Sequence, residues 1–401
     1  MSVQTRPSSR TSTAAAARVS QQPRSASKRS GPPGPPAGGK RKKSKGGKDP
    51  MWARLLLIFG AVLMVVSGAS IVGAKTVINQ ATKDIKTGSL IGDAGKSSAE
   101  GGDDLKGPID LLLLGVDVRA DWDASRVLAD TIIVLHIPAT HDAAYLISIP
   151  RDTKVDIPGH GIGKINSAFF HGAQNGGGWE GGAQLMAKTI KGLTGVSFDG
   201  AAIINFGGFR SIVNALDGIK VCPTQPITSA HMMRVEGEGV MTLAKARESG
   251  KPYQPVSYKK GCQKMNGWQA LDFSRQRYDM ANSDYGRQQN QQQVIKAIAK
   301  KATESGVVSN PMKVQALLKA AGESLVLDTG NIAIEDFVYG LRGVGGGEMT
   351  MLRTNGGSFN GDETGDFELL DETTMGMFQA VKSDTLAEYV YNNPSVLSDR
   401  K

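Results

Sequence analysis

The chain has 401 residues, enough for one large domain with appendages or for two ordinary domains. Its formal net charge is +9, but residues 1–54 hold 13 of the 47 Lys and Arg residues and one of the 38 Asp and Glu residues. The rest of the chain has 34 basic and 37 acidic residues, and this near balance excludes a basic, nucleic-acid-binding body.

The basic residues belong to an N-terminal tail. Residues 1–52 are rich in Ser, Pro, Gly and Ala and show no apolar periodicity. Such a segment cannot bury enough apolar surface to offset the entropy that is lost on ordering, so we predict that it is disordered.

A long apolar run follows the tail. Residues 53–74 read ARLLLIFGAVLMVVSGASIVGA, without a charge after Arg54. At about 1.5 Å per residue, a helix of this length crosses the roughly 30 Å hydrocarbon core of a bilayer. The run exceeds the roughly 7–15 residues of a secretory signal, which favours an uncleaved transmembrane helix over a cleaved leader. The basic cluster at Lys40–Lys48 predicts a cytoplasmic N-terminus, so we expect a single-pass protein of the cell membrane with an extracytoplasmic body.

Two cysteines, Cys222 and Cys262, follow the predicted membrane segment. An oxidising exterior permits a disulfide between them, which would close a loop of about 40 residues and contribute roughly 3–4 kcal/mol to stability. The alternative is two unpaired thiols. Neither cysteine has a histidine or a second cysteine at metal-ligand spacing, so a zinc site is not expected.

The body begins after a stretch, residues 75–107, whose Gly, Ser, Lys and Asp content is typical of an extracytoplasmic linker. Apolar runs predict strands at 109–117, 131–137, 143–150, 201–206 and 218–222. Helical patterns cover 164–173, 181–194, 207–216, 267–273, 286–303 and 311–324. This alternation predicts an α/β domain of three α-β-α layers, with a central mixed sheet flanked by helices. We expect the domain to cover residues 108–303 and residues 304–395 to complete it.

Carboxylates lie where the first two predicted strands meet. Asp117 and Arg119 follow the first strand, and Asp130 precedes the second. Two carboxylates beside a short loop can converge on one hard cation, and Mg²⁺ typically takes one or two carboxylates together with phosphate oxygens and water. The pattern therefore predicts a magnesium site.

Cationic side chains cluster at other predicted element ends. Arg151 and Asp152 follow the third strand, and Lys164 opens a helix. Arg275 and Arg277 are two residues apart, so both point the same way in an extended segment, while Arg287 and Gln291 share one face of a helix. Guanidinium groups bind phosphate bidentately, and ligands of open α/β sheets bind at strand ends. The set predicts a phosphate-binding site.

Five blocks of this sequence, LLLLGVDVR, ADTIIVLHI, SIPRDT, GKIN and RQR…DYGRQQNQQQ, resemble the LytR-CpsA-Psr family of envelope phosphotransferases over about residues 108–303. The tail and the cysteine pair resemble those of actinobacterial members. The resemblance implies transfer of a glycopolymer from a polyprenyl pyrophosphate carrier to peptidoglycan or another envelope acceptor, with Mg²⁺ as cofactor.

The resemblance also implies residue roles. Asp117 and Asp130 would hold the metal. The pyrophosphate would be bound by Arg119, Arg151, Lys164, Arg275, Arg277, Arg287 and Gln291. Catalysis is assigned to Arg151, Asp152, Arg275 and Arg277, with Asp152 either a general base or an orienting partner of its neighbour. Family members often carry a further basic residue just before the Gln run, where this chain has Gln289 and Asn290.

Two other functions use the same residues. A hydrolase would cleave the pyrophosphate with water as acceptor, and a non-catalytic regulator would bind the lipid-linked polymer or a partner without turnover. Four histidines, His136, His141, His160 and His171, lack ligand spacing and are expected to be structural.

Overall fold

The computed structural model describes residues 86–97, 106–117, 127–277, 283–307, 310–330, 332 and 348–398. The predicted tail and the predicted membrane segment lie outside these residues. Among the described residues, no helix is long and apolar enough to cross a bilayer. Within the predicted linker, Lys86–Thr87 forms a strand, and Leu90 and Ala94 are buried in the core, so this part packs with the folded body.

The described residues form the following strands: β1 Lys86–Thr87, β2 Ile109–Val116, β3 Ala129–Ile137, β4 Ala143–Ser148, β5 Lys154–Ile157, β6 Gly161–Lys164, β7 Gly200–Asn205, β8 Ile219–Val221, β9 Ile227–Val235, β10 Gly239–Thr242, β11 Tyr253–Tyr258, β12 Gln263–Met265, β13 Leu325–Asp328 and β14 Glu348–Arg353. They also form the following α-helices: α1 Asn166–Ala173, α2 Gly178–Thr194, α3 Phe206–Ala215, α4 Leu243–Glu248, α5 Gly267–Arg275, α6 Ser283–Glu304, α7 Pro311–Ala321, α8 Glu372–Lys382 and α9 Leu386–Asn392.

Seven strands build the central sheet, in the order β1-β13-β7-β2-β3-β4-β14. β2 pairs parallel with β7 and antiparallel with β3, so the predicted mixed sheet is confirmed. The strands β13 and β14, from the C-terminal part of the chain, pair with β7 and β4 in the same sheet.

Helices flank the sheet on both sides. Leu112 and Leu114 of β2 face a core formed with α1, α2, α8 and α9. A second apolar core joins α3, α5, α6 and α7 with the small sheets β12–β8 and β10–β9–β11. The last of these sheets lies between the two cysteines, where the sequence indicates no regular element. The residues on either side of this segment carry the predicted disulfide, Cys222–Cys262, which is confirmed.

Local sequence explains where the helices near the site begin. The Asn205 side chain accepts a hydrogen bond from the backbone N–H of Gly208, so α3 begins directly at the end of β7. Asn266 and Gln269 form a capping box at the start of α5. Both helices therefore begin at fixed positions and hold the side chains of their first and last turns in place.

Candidate functional site

A cavity of about 580 Å³ lies between one face of the central sheet and the helices α3, α5 and α6. Apolar side chains from these elements line most of its length: Leu113, Ile133, Ala202, Ile204, Phe209, Ile212, Leu271, Val294, Ile295, Ile298 and Leu325. Charged and polar side chains line the remainder: Asp117, Asp130, Arg151, His231, Arg275, Arg277, Arg287 and Gln291. The cavity therefore joins an apolar compartment to an arginine-rich one.

A β-bulge turns Asp130 towards the cavity. Gly115 pairs with Thr131, whereas the next residue of β2, Val116, pairs with Ala129, so Asp130 is the extra residue in β3. Without the bulge, alternation would place Asp130 on the opposite face from Thr131, but both line the cavity. A glycine is required opposite Thr131, because a Cβ at Gly115 would lie 2.9 Å from the Thr131 Cβ atom.

Two arginines hold the bulged residue from different elements. Arg151, just beyond β4, donates from Nη1 to Oδ1 of Asp130 at 2.9 Å. Arg287, in the first turns of α6, donates from Nη2 to the backbone oxygen of Asp130 at 3.2 Å. It also pairs with Asp284 one turn earlier, Nη2 to Oδ1 2.8 Å. These bonds connect β3, β4 and α6 at the polar end of the cavity.

The Arg275–Arg277 segment alternates between cavity and interior. The chain leaves α5 in an extended conformation at Gln276, so Arg275 and Arg277 both line the cavity, while Gln276 is buried. The Gln276 side chain donates to Oδ1 of the buried Asp272 at 2.8 Å and accepts from the backbone N–H of Ala230. Because its partners are buried, this side chain fixes the direction in which the two arginines point.

Arg275 has contacts on two sides. Its guanidinium carbon lies 4.4 Å from the centre of the Phe206 ring, and its Nη2 lies 3.6 Å from Oδ2 of Asp117. A cation over an aromatic face gains about 0.5–2 kcal/mol, depending on how far it is removed from water. The side chain is thus positioned before any ligand binds.

Helix α6 supplies a continuous stripe to the cavity. Arg287, Gln291, Val294, Ile295 and Ile298 all line it, at helical spacings of three and four residues. Along the helix the stripe changes from cationic (Arg287) to polar (Gln291) to apolar (Val294, Ile295 and Ile298). The lining of the cavity changes in the same way from its arginine-rich end to its apolar compartment.

Burial makes two of the arginines unusual. Arg287 is 7% exposed, and burial, opposed by Asp284, lowers its pKa. At Arg151 burial also acts to lower the pKa, but Asp130 together with Asp152 and Asp284 raises it on balance. The Nε atoms of both side chains are buried without a hydrogen-bond partner among the described residues. Buried unpaired cationic donors are costly, and an anion in the cavity would satisfy them.

The donor set at Asp117 and Asp130 fits a magnesium ion. Each carboxylate pairs with an arginine through one oxygen, and the other oxygen has no partner among the described residues. Those residues contain no cluster of three or more metal-ligand side chains, so within the described part of the chain Asp117 and Asp130 are the two candidate carboxylate ligands at this end of the cavity. That number is what Mg²⁺ uses when phosphate oxygens and water complete its coordination.

Other predicted site residues lie away from the cavity or outside the described residues. Arg119 lies outside the described residues. Asp152 and Lys164 form an ion pair, Oδ1 to Nζ 3.0 Å, beside Arg151 but do not line the cavity. Gln289 donates to the backbone of Ser398, and Asn290 donates to the backbone of Phe273. These last two side chains therefore belong to the packing of α6.

Several residues at the polar end of the cavity are not predicted by the sequence pattern. They are Thr131, Phe206, His231 and Asp284. Asp284 has a local signal, since it lies three residues before Arg287 on a helix. His231 has none, because its strand lies in a segment of weak periodicity far from the arginines in sequence.

Together, the fold and site define an α/β protein with an amphipathic cavity between one face of its central sheet and three helices, with the polar end of the cavity near the strand ends. The LytR_cpsA_psr family model matches residues 71–380, and the chain belongs to this family. It is 29% identical over 274 residues to the polyisoprenyl-teichoic acid–peptidoglycan teichoic acid transferase TagU of Enterococcus faecalis, covering 68% of this chain and 78% of that protein.

A second relative and a solved structure are also similar to this chain. The probable cell wall biosynthesis protein LcpB of Corynebacterium glutamicum is 29% identical over 232 residues, which cover 55% of this chain but only 48% of LcpB. Protein gbs0355 of Streptococcus agalactiae has a crystal structure with the same fold, with a TM-score of 0.56 and 22% identity over 73% of this chain and 91% of that one.

Proposed function

We propose that the protein is a membrane-anchored phosphotransferase that moves a glycopolymer from a polyprenyl pyrophosphate carrier to peptidoglycan or another envelope acceptor. The main support for the proposal is that one and the same cavity has an apolar compartment and an arginine-rich end. A lipid pyrophosphate has the same two parts in the same order. The name of the relative TagU, a transferase of a polyisoprenyl-linked polymer to peptidoglycan, supports this substrate class.

The apolar compartment suits the polyprenyl chain. Isoprene units carry no hydrogen-bonding groups, so a compartment lined by Leu, Ile, Val and Phe side chains can bury them without leaving polar atoms unpaired. The compartment lies between the central sheet and α6, whose Ile295 and Ile298 would contact the lipid beyond the pyrophosphate.

The arginine-rich end suits the pyrophosphate. Arg151, Arg275, Arg277 and Arg287 come from three separate segments and all line the same end of the cavity. In phosphoryl transfer the protein mostly positions the reactants and stabilises charge. These guanidinium groups would bind the pyrophosphate oxygens and stabilise the charge that develops on the leaving polyprenyl phosphate.

Asp117 and Asp130 would hold Mg²⁺ beside the pyrophosphate. The bound ion would neutralise part of the pyrophosphate charge and orient its oxygens. Asp130 would be kept in place for this by Arg151 and by the bond from Arg287 to its backbone.

The location proposed is the outer face of the cell membrane. Residues 53–74 would anchor the chain, with the tail in the cytoplasm and the catalytic body outside. The Cys222–Cys262 disulfide supports an oxidising compartment for the body.

A turnover assay tests the proposal. The full chain, purified in detergent, is mixed with a polyprenyl pyrophosphate-linked disaccharide and peptidoglycan fragments, and the release of polyprenyl phosphate is measured with Mg²⁺ and with EDTA. We expect release that requires Mg²⁺ and falls by about 100-fold or more in Arg275→Ala and Asp130→Ala. The matched control is Arg210→Ala, an exposed arginine on α3. Equal release by the wild type and both site variants would refute the site assignment.

A further inference from the structure

One histidine lies at the polar end of the cavity. All five histidines of the chain are described, and His231 of β9 is the one that lines the cavity, next to Arg275 and Arg277. It is half-buried there. The other four lie in β3, in turns and on α1, and none of them lines the cavity. A histidine among phosphate-binding arginines adds no permanent charge, so its chemistry lies in moving a proton.

The position of His231 is fixed by buried groups. Its backbone N–H donates to Oγ of Ser229 at 3.0 Å, and that hydroxyl donates to Oδ1 of Asp272 at 2.9 Å. Asp272 also accepts from the Tyr258 hydroxyl at 2.6 Å and from Gln276. The network that directs Arg275 and Arg277 into the cavity therefore also holds the strand that carries His231.

The imidazole ring of His231 lies against the backbone of Arg275. One ring nitrogen donates its hydrogen to the backbone oxygen of Arg275. The residue lines the polar end of the cavity, and a neutral imidazole has one nitrogen that can accept a proton. A neutral imidazole held in this way can accept a proton from a group in the cavity.

The charges that face His231 keep it neutral. Burial and the neighbouring Arg275 lower its pKa below the ordinary value of 6.5; Arg277 acts in the same direction, and Asp272 opposes them. The imidazole is therefore unprotonated at neutral pH. Its protonated form becomes more favourable once an anionic substrate lies among the arginines.

Asp152, the other candidate for a proton acceptor, lies outside the cavity lining. Its carboxylate pairs with Lys164 at 3.0 Å and lies 3.7 Å from Nε of Arg151, and it does not line the cavity. Both carboxylate oxygens are thus engaged by cationic side chains, and the carboxylate is not placed among the groups that line the cavity.

We propose that His231 is the general base of the transfer reaction. This inference rests on the proposed function. The acceptor hydroxyl transfers its proton to the unprotonated ring nitrogen of His231. At the same time the hydroxyl oxygen forms a bond to the phosphorus nearer the glycopolymer. The bond from that phosphorus to the bridging oxygen breaks, and its electron pair leaves with polyprenyl phosphate. The leaving group departs as an anion and needs no proton.

The test compares His231→Gln with His171→Gln, which alters another half-buried histidine, one that lies outside the cavity. Both are made in the full chain, and polyprenyl phosphate release is measured from about pH 5 to pH 9, with thermal melting as the check on folding. We expect His231→Gln to lower kcat by about 10²–10⁴-fold with little change in KM for the lipid substrate, and to remove the acid limb of the kcat/KM profile. The sign follows from the base role: activity of the wild type falls as pH drops through the lowered pKa of His231. His171→Gln should match the wild type.

A second variant guards against a structural explanation. His231→Ala removes the ring, and added imidazole should restore part of its kcat, which a misfolded site would not allow. The inference would be overturned if His231→Gln kept the wild-type rate and pH profile, or if it raised KM without lowering kcat. Either result would leave the proposed function intact. If the wild-type chain itself releases no polyprenyl phosphate, the proposed function fails and the inference fails with it.

Discussion

Asp130 and Arg151 form an ion pair, Oδ1 to Nη1 2.9 Å, although one is the extra residue of a bulge in β3 and the other follows the neighbouring strand β4. The bulge brings the carboxylate onto the cavity face, and the arginine holds it there. A predicted metal ligand and a predicted phosphate ligand are therefore paired before substrate binds. We infer that substrate binding exchanges part of this pairing for contacts with the pyrophosphate.

Replacing Arg151 with lysine tests the geometry of the pair. Arg151→Lys keeps the positive charge but removes the planar fork and the buried Nε donor. A hydrogen bond to a charged group contributes about 1.5–3 kcal/mol, so we expect polyprenyl phosphate release to fall by roughly 10–150-fold. The control is Arg210→Lys at an exposed position. Full activity of Arg151→Lys would mean that charge alone suffices there.

Filling the apolar compartment tests the lipid site. Ala202 of β7 lines it, so Ala202→Trp places an indole in the space proposed for the lipid. We expect KM for the lipid substrate to rise by about 10-fold or more, while the melting temperature changes little because the cavity has room for the ring. Ala202→Val, a smaller enlargement, is the matched control. An unchanged KM in Ala202→Trp would place the lipid elsewhere.

A buried ion cluster at the other end of β2 should dominate stability. The Lys96 ammonium lies 2.9 Å from Asp110 and 2.7 Å from Asp199, all three side chains being almost fully buried. Lys96→Met leaves two buried carboxylates without their cation, so we expect a loss of about 3–5 kcal/mol in the free energy of unfolding.

The exposed pair Lys264–Asp217 provides the comparison for that measurement. Its two atoms lie 2.8 Å apart, but both side chains are largely solvent-exposed. In chemical denaturation Lys264→Met should lower the free energy of unfolding far less than Lys96→Met, because water and salt screen an exposed ion pair. Similar losses in the two variants would show that burial of the Lys96 cluster does not raise its contribution.

Removing the disulfide should lower stability without touching the arginines. The bond closes a loop with a sequence separation of 40, and Cys222→Ser with Cys262→Ser should lower the free energy of unfolding by roughly 3–4 kcal/mol. The reduced wild type should melt at the temperature of the double variant. If reduction has no effect on melting, the bond contributes nothing to the stability of the native chain.

Much of the fold follows from local sequence signals. Helices were predicted at the positions of α1, α2, α3, α5, α6 and α7, and each is confirmed, because apolar spacing and caps such as Asn205 and Asn266 are local features. The strands β9, β10 and β11 were not predicted, since their stability comes from pairing and from the core beneath them. β13 and β14 were missed for the same reason: their partners, β7 and β4, are distant in sequence.

The candidate site divides in the same way. The spacing of Arg275 and Arg277 and of Arg287 and Gln291 correctly predicted which side chains share a face, because these are properties of an extended segment and of a helix. The bulge at Asp130 could not be predicted, because the register between β2 and β3 is set by both strands together. His231 was missed because tertiary packing alone brings β9 to the arginines.

The fate of the two phosphorus atoms of the carrier distinguishes transfer from hydrolysis and from binding without turnover. The full chain is incubated with Mg²⁺, a polyprenyl pyrophosphate-linked glycopolymer and peptidoglycan, and both products are quantified by mass spectrometry. We predict that the wild type forms equal amounts of polyprenyl monophosphate and of peptidoglycan that is linked to the glycopolymer through one phosphodiester. Arg275→Ala should form neither product. Free glycopolymer phosphate with unmodified peptidoglycan would contradict transfer and identify a hydrolase, and an intact carrier that stays bound would identify a binding protein.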